Sequence, residues 1–154
     1  MASVNVNVAI DGLGGTDTIY GIENARGGLS NDILLGSNVA NLLEGMEGHD
    51  TLWGGEGNDT VNGSASGDTL SLTGIETVYG NDGNDTINAS AGSNTIFGGN
   101  GNDLIQTFEG SDFIQAGQGV DVVFSGTDGD TVFLNAGDDF AFAGTGNDTV
   151  QGGG

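Results

Sequence analysis

Apolar residues recur every ninth position along most of this chain, each set between polar or small neighbours. From Gly80 to Gln151 the sequence divides without a gap into eight nonapeptides: GNDGNDTIN, ASAGSNTIF, GGNGNDLIQ, TFEGSDFIQ, AGQGVDVVF, SGTDGDTVF, LNAGDDFAF and AGTGNDTVQ. Five more run from Gly27 to Ser71, and one further copy spans Gly12 to Tyr20. Position 8 of the repeat holds Ile19, Leu34, Leu43, Leu52, Val61, Leu70, Ile87, Ile96, Ile105, Ile114, Val123, Val132, Ala141 and Val150. A lone apolar side chain, usually β-branched, between polar neighbours predicts a three-residue strand with one inward position. The other six residues are rich in Gly, Asn, Asp and Ser and predict a turn. Position 4 is usually glycine (Gly15, Gly48, Gly57, Gly83, Gly92, Gly101, Gly110, Gly119, Gly137 and Gly146), as a tight bend with φ > 0 requires. Ahead of the array, the alternation Val4, Val6, Val8 reads as a strand.

Position 6 carries the second pattern. It holds Asp17, Asp32, Asp50, Asp59, Asp68, Asp85, Asp103, Asp112, Asp121, Asp130, Asp139 and Asp148, with Asn41 and Asn94 in the two remaining copies. Asp is common in turns for backbone reasons. Those reasons do not demand a single phase in fourteen copies, so position 6 points to a shared chemical role.

Composition sharpens that reading. The chain has 32 glycines, no proline, no cysteine and a net charge of −21, with Arg26 its only basic residue. Such a balance usually marks a disordered chain, and only the strict period argues against that here. The charge excludes binding to nucleic acid or anionic lipid through a basic patch. The lack of cysteine excludes a disulfide framework, thiol catalysis and thiolate metal sites. No apolar run is long enough to span a membrane. The N-terminal residues lack the basic region and apolar core of a secretory signal peptide. A compact chain so acidic repels itself unless cations neutralise it.

The pattern resembles the RTX (haemolysin-type calcium-binding) repeat, Gly-Gly-x-Gly-x-Asp-x-U-x with U a large apolar residue, and the resemblance covers nearly the whole chain. It implies an all-β fold, a right-handed parallel β-roll (a β-helix solenoid) with two short strands and two Ca²⁺-binding turns per eighteen-residue coil. One domain is expected over 1–154. It comprises an irregular N-terminal coil (1–26), a first repeat block (27–71), a non-metal insert (72–79) and a second repeat block (80–154).

Stacked coils would bring position 6 beside position 6 eighteen residues later. The pairs are Asp32/Asp50, Asn41/Asp59, Asp50/Asp68, Asp85/Asp103, Asn94/Asp112, Asp103/Asp121, Asp112/Asp130, Asp121/Asp139 and Asp130/Asp148. Carboxylates about 5 Å apart repel each other, whereas a Ca²⁺ between them finds hard oxygen ligands, completed by turn carbonyls. About nine such ions would bring about +18 against the −21 of the chain. Asn41 and Asn94 each remove one charge and should weaken their sites. Ser30, Val39, Ser66 and Asp128 replace the position-4 glycine and make their turns weaker candidates. One apolar side chain per nonapeptide contributes roughly 1.5–3 kcal/mol, against about 9–18 kcal/mol of backbone ordering. Folding coupled to calcium binding is therefore expected.

The array is interrupted twice, at Gly21-Ile22-Glu23 and Gly74-Ile75-Glu76. Each stretch is read as a strand without a metal turn, Ile22 and Ile75 pointing inward. Glu23 and Glu76 are candidates for a further role as clustered carboxylates. Position 9 collects Tyr20, Trp53, Phe97, Phe124, Phe133 and Phe142. Phe124 and Phe142 should stack, and Phe97 and Phe133 lie two coils apart. These read as a cross-strand ladder or as a surface for a partner. His49, alone at position 5, reads as a solvated spacer. No Ser/His/Asp set can be assembled, so no enzyme is expected. Asn-Asp-Thr triplets at Asn58, Asn84 and Asn147 match glycosylation acceptors that the repeat generates by itself.

The resemblance implies a secreted bacterial module, exported by type I secretion and folded by external calcium, with a structural role in a larger extracellular protein. The chain closes on Gly152-Gly153-Gly154, partway into another repeat. That suggests an excised module or an open-ended array, whose free strand edges motivate the alternative of an end-to-end self-associating unit in a surface layer, adhesin or matrix filament.

Overall fold

A strand of one nonapeptide is too short to stand alone and gains its partners only by stacking on the coils before and after it. The computed structural model describes residues 9–10, 18–21, 23–74, 76–89 and 91–154, and in it alternate strands fall into two parallel sheets. One sheet runs, in spatial order, β1 (Ala9–Ile10), β3 (Asn24–Arg26), β5 (Leu42–Glu47), β7 (Thr60–Ala65), β9 (Thr77–Asp82), β11 (Thr95–Asn100), β13 (Phe113–Gln118), β15 (Thr131–Ala136) and β17 (Thr149–Gln151). The other runs β2 (Thr18–Tyr20), β4 (Ile33–Leu35), β6 (Thr51–Gly57), β8 (Thr69–Gly74), β10 (Thr86–Ala89), β12 (Leu104–Gln106), β14 (Val122–Phe124) and β16 (Phe140–Phe142). All pairings are parallel, the geometry of a β-roll. Among the described residues no helix is long and apolar enough to cross a membrane.

The eighteen-residue register holds through most of the array: Ile87 stands beside Ile105 and Ile105 beside Val123, while Ile96 stands beside Ile114 and Ile114 beside Val132. It shortens to sixteen where Ala9 pairs with Ala25, to fifteen where Thr18 pairs with Ile33, and to seventeen where Thr60 pairs with Thr77 and Thr69 with Thr86. Leu72, Thr73 and Gly74 in β8 and Thr77, Val78 and Tyr79 in β9, within the stretch 72–79 read from sequence as an insert, are thus paired inside the array. The strand in this stretch is also not where it was expected. β9 begins after Glu76, and Val78 is its buried residue; Ala25 in β3 is the equivalent after Glu23. Ile22, Ile75, Asp17 and the Val4-Val6-Val8 alternation lie outside the described residues.

The core is wider than one residue per repeat. Position 8 is fully buried from Leu34 to Val132, as the pattern predicts. Position 1, two residues on, faces inward as well and adds Leu72, Ala89, Ala116 and Leu134, together with the buried hydroxyls of Thr107 and Ser125. Many strands accordingly run six residues, not the three expected, because pairing resumes beyond the triplet, as where Gly99 stands beside Gly117. In these longer strands successive coils share the kink at position 2, where Met46, Ser64, Asn81 and Asn135 adopt positive φ alongside glycines, and the β6–β8 pairing shifts register at it. Ala141 is only partly buried and Val150 is 45% exposed, because β16 and β17 are the edge strands of their sheets.

The position-4 bend is the tightest part of the coil. Gly101 has φ +132°, and a Cβ there would collide with the backbone carbonyl of Gly83 in the coil before. Gly101→Ala is expected to lower the stability of the calcium-loaded fold by about 1–3 kcal/mol, read as a drop in the thermal midpoint. An unchanged midpoint would show that the bend relaxes freely. Ser66 and Asp128 hold positive φ at this position without glycine (103° and 79°), so those two turns keep the bend at a cost in strain.

Aromatic side chains line the outer faces. Phe124 and Phe142 stack with centroids 5.0 Å apart, as their spacing predicts. On the other sheet Tyr79 stacks on Phe97 at 5.1 Å. Phe113, from position 7, bridges the gap between Phe97 and Phe133 at 6.2 and 5.7 Å. Trp53 stands exposed between Leu35 and Ser71.

Candidate metal centre

Position 6 is the residue immediately before each strand, so stacking the strands stacks the acids. Because alternate strands belong to different sheets, the acids separate into two ladders. The ladder entering the eight-stranded sheet holds Asp32, Asp50, Asp68, Asp85, Asp103, Asp121 and Asp139, all carboxylates. The ladder entering the nine-stranded sheet is mixed: Glu23, Asn41, Asp59, Glu76, Asn94, Asp112, Asp130 and Asp148. Glu23 and Glu76 earn their places by backbone pairing. Leu42 N–H donates to the Glu23 carbonyl, Thr77 N–H to the Asp59 carbonyl, and Thr95 N–H to the Glu76 carbonyl. Sequence reading named both as candidates for a further role but left them out of the ladder, because their turns lack the motif. The signal available was spacing: Glu76 lies eight residues after Asp68, one short of the period.

In the all-carboxylate ladder each described rung is tied to the next by one side-chain oxygen. Asp50 Oδ1 accepts the N–H of Asp32, Asp68 Oδ1 that of Asp50, and Asp103 Oδ1 that of Asp85, all at 2.8–2.9 Å. The mixed ladder repeats this from Asn41 to Asp59 and from Asn94 to Asp112 and Asp130. Asp139 and Asp148 close the two series on Asp121 and Asp130. This linkage holds across the seventeen-residue step as well, Asp68 N–H donating to Asp85 Oδ1 at 2.7 Å.

The second oxygen is the informative one. Oδ2 of Asp50, Asp59, Asp68, Asp85, Asp103, Asp121 and Asp139 is buried without a hydrogen-bond partner, and so are both carboxylate oxygens of Glu76. Buried polar groups are normally satisfied, and unpaired buried charge is costly. The only Lys or Arg side chain cannot help, since Arg26 pairs with Glu44 on the surface at 3.3 Å. The space around Oδ2 is already shared with a second oxygen. A Cβ on Gly45 would collide with both Asp50 Oδ2 and the carbonyl oxygen of Gly63 from the next coil. Carboxylate and carbonyl oxygens therefore converge from successive coils, the hard donor set that suits calcium. No three His, Cys, Asp or Glu side chains converge among the described residues, so an ion here would draw on two rungs and on main-chain carbonyls.

Electrostatics agree with the geometry. Burial pushes the carboxyls of Asp68 and Asp85 up to about 6 and that of Asp103 up to about 7. The N–H each accepts pulls the other way, and neighbouring carboxylates in the ladder add to the rise. Burial lifts Glu76 to about 7, with Asp59 and Asp112 adding repulsion. Asp50, Asp59, Asp112, Asp121 and Asp130 are raised for the same leading reason. The hydroxyls of Thr107 and Ser125 stand near Asp112 and Asp130 and temper the rise there, while donating to the carbonyls of Ser125 and Ala143.

The two amide rungs bond both across coils, Asn41 Nδ2 donating to the Glu23 carbonyl and Asn94 Oδ1 accepting Glu76 N–H, and within their own turns. Asn41 Oδ1 accepts from Ser37 N–H at 2.8 Å, and Asn94 Nδ2 donates to the Gly92 carbonyl at 3.0 Å. Position 5 carries a second ladder that the sequence did not announce. Asn84 Oδ1 accepts Asn102 N–H and Asn102 Oδ1 accepts Val120 N–H, each at 2.8 Å. His49 belongs to this outer row, its N–H donating to Asn31 Oδ1 and its ring Nδ1 lying 2.8 Å from the Gly67 carbonyl.

A comparison with curated proteins found no match. The profile of the RTX calcium-binding nonapeptide repeat matches four times, over residues 35–70, 72–105, 109–132 and 133–154. Its second copy runs through Glu76 and the seventeen-residue step, in agreement with the unbroken pairing there. With the period, the paired acid ladders and these four matches in accord, the chain belongs to the RTX calcium-binding nonapeptide repeat family.

Proposed function

We propose that this chain binds several Ca²⁺ ions between successive rungs of its two ladders and is folded by them, as a structural module of a larger secreted bacterial protein. The ligands are Asp32, Asp50, Asp68, Asp85, Asp103, Asp121 and Asp139 on one side, and Asn41, Asp59, Asn94, Asp112, Asp130 and Asp148 on the other, with carbonyls of the glycine turns. Asp17 extends the first series by its place in the repeat. One observation carries this reading: a file of buried carboxylate oxygens with no hydrogen-bond partner. Export unfolded into a calcium-rich exterior fits a chain whose charge opposes folding until ions arrive.

Equilibrium dialysis at neutral pH tests it. The 154-residue chain is expected to retain about nine Ca²⁺ and to discriminate against Mg²⁺, which demands a tighter octahedral shell. Retention of one ion or none, or equal uptake of Mg²⁺, would overturn the reading. A second reading, end-to-end association of copies, draws on the edge strand β16, which exposes Phe140 and Phe142; light scattering in calcium separates it from a discrete monomer.

A further inference from the structure

Asp59 and Glu76 are consecutive rungs of the mixed ladder, and the coil between them is the one shortened to seventeen residues. The sequence Ser71-Leu72-Thr73-Gly74-Ile75-Glu76 has no Gly-Gly-x-Gly-x-Asp motif and predicts no ion there. Glu76 is nonetheless only 2% exposed. It also differs from the aspartate rungs in how its carboxylate is used. Asn41 N–H donates to Asp59, Glu76 N–H to Asn94 at 3.0 Å, and Asn94 N–H to Asp112. The corresponding bond from Asp59 N–H to Glu76 is not made, and both Glu76 oxygens remain without a partner.

Those oxygens are aimed at a defined place. Glu76 Oε1 lies against Gly74, whose φ is +141°, and a Cβ on Gly74 would collide with both that oxygen and the carbonyl oxygen of Gly57 in the preceding coil. Asp59 Oδ2, on the preceding rung, is likewise buried and unpartnered. The extra methylene of Glu over Asp carries the carboxylate into the row from a turn that is one residue short. A wholly uncommitted Glu can grip a large divalent ion with two oxygens, as a single free Asp oxygen cannot.

We propose that Glu76, through both carboxylate oxygens, together with Asp59 and the Gly57 carbonyl, forms a divalent-cation site of calcium's class that the nonapeptide motif does not encode. It rests on the calcium reading above and deepens it. This site carries two charges where the flanking pairs Asn41/Asp59 and Glu76/Asn94 carry one, so it anchors the mixed ladder at the register step.

The test compares the full chain with Glu76→Gln, which keeps shape and removes the charge, by equilibrium dialysis with Ca²⁺ at neutral pH. Loss of one bound equivalent, the rest retained, is the expected result. An unchanged count, above all with an ion-free chain made more stable, would identify Glu76 as a buried neutral acid and overturn the proposal. Should the variant fail to fold, a crystal of the unaltered chain grown in Ca²⁺ decides. An anomalous peak about 2.3–2.6 Å from both Glu76 oxygens supports the site, and its absence beside filled neighbouring turns removes it. An unaltered chain that binds no calcium at all refutes the parent reading, a result distinct from either.

Discussion

Chelation of calcium at about pH 7.5 is expected to abolish most of the β signal in far-ultraviolet circular dichroism and to expand the chain on size exclusion, reversibly. The cause is the pair of ladders. At that pH Asp68 and Asp85, lifted to about 6, and Asp103, lifted to about 7, are predominantly ionised and stacked one coil apart, and Oδ2 of Asp50, Asp68, Asp85, Asp103, Asp121 and Asp139 is buried without a hydrogen-bond partner. Breaking or withholding the partner of a buried charge costs several kcal/mol for each ion. The core cannot absorb that many times over, since each nonapeptide contributes one large apolar residue at position 8 and at most a second at position 1. Nor can protein cations, since Arg26 is held at the surface by Glu44. Magnesium is expected to restore little, because the flexible oxygen set formed by two rungs and turn carbonyls does not impose its small octahedral shell. Full β structure in chelator would show that hydrogen bonding and the core suffice alone.

Acid should partly replace calcium. The sign follows from the carboxyls of Asp68 and Asp85, lifted to about 6, and of Asp103 and Glu76, lifted to about 7, from ordinary values of 3.8 for Asp and 4.5 for Glu. Between those limits the ion-free folded chain holds more protons than the unfolded one. Its stability therefore rises as pH falls, and is lost as pH climbs through 6 to 7. In chelator, the β signal is expected to recover as the solution is taken from about pH 8 to about pH 5, above the pI of 4.1 where precipitation would intrude. With calcium present, protons compete for the ligands of the folded chain, so its apparent calcium affinity should fall as pH falls through this window, while the calcium concentration at half-folding should fall too, because the protonated chain folds with less help. A chelated chain whose spectrum is flat from about pH 8 to about pH 5, with a calcium midpoint that does not move, would mean that the ladder carboxylates are solvated in the ion-free state.

Both effects arise from a feature that is half visible along the chain. Within each repeat block the nine-residue period places the position-6 residues, Asp32 to Asp68 and Asp85 to Asp148, on one phase and the position-8 residues, Leu34 to Leu70 and Ile87 to Val132, on another, and a strand period of two turns those phases into an acid corner and an inward side chain. That much is local: it depends on residues one or two apart, and joined to the eighteen-residue coil that the family resemblance implied it was sufficient for the roll, the core stripe and the Phe124–Phe142 stack. What decides the rest lies across coils, between residues seventeen or eighteen apart. Separation into an all-carboxylate ladder and a mixed one follows from alternate strands joining different sheets. Glu23 and Glu76 enter the mixed ladder because main-chain hydrogen bonding continues through their shortened turns whether or not the side chains match the motif. Position 1 faces inward because pairing resumes beyond the kink, and Phe113 joins the aromatic row because position 7 of one coil can reach position 9 of its neighbours. A repeat motif records which side chains a turn prefers; only the stacked backbone determines which turns meet.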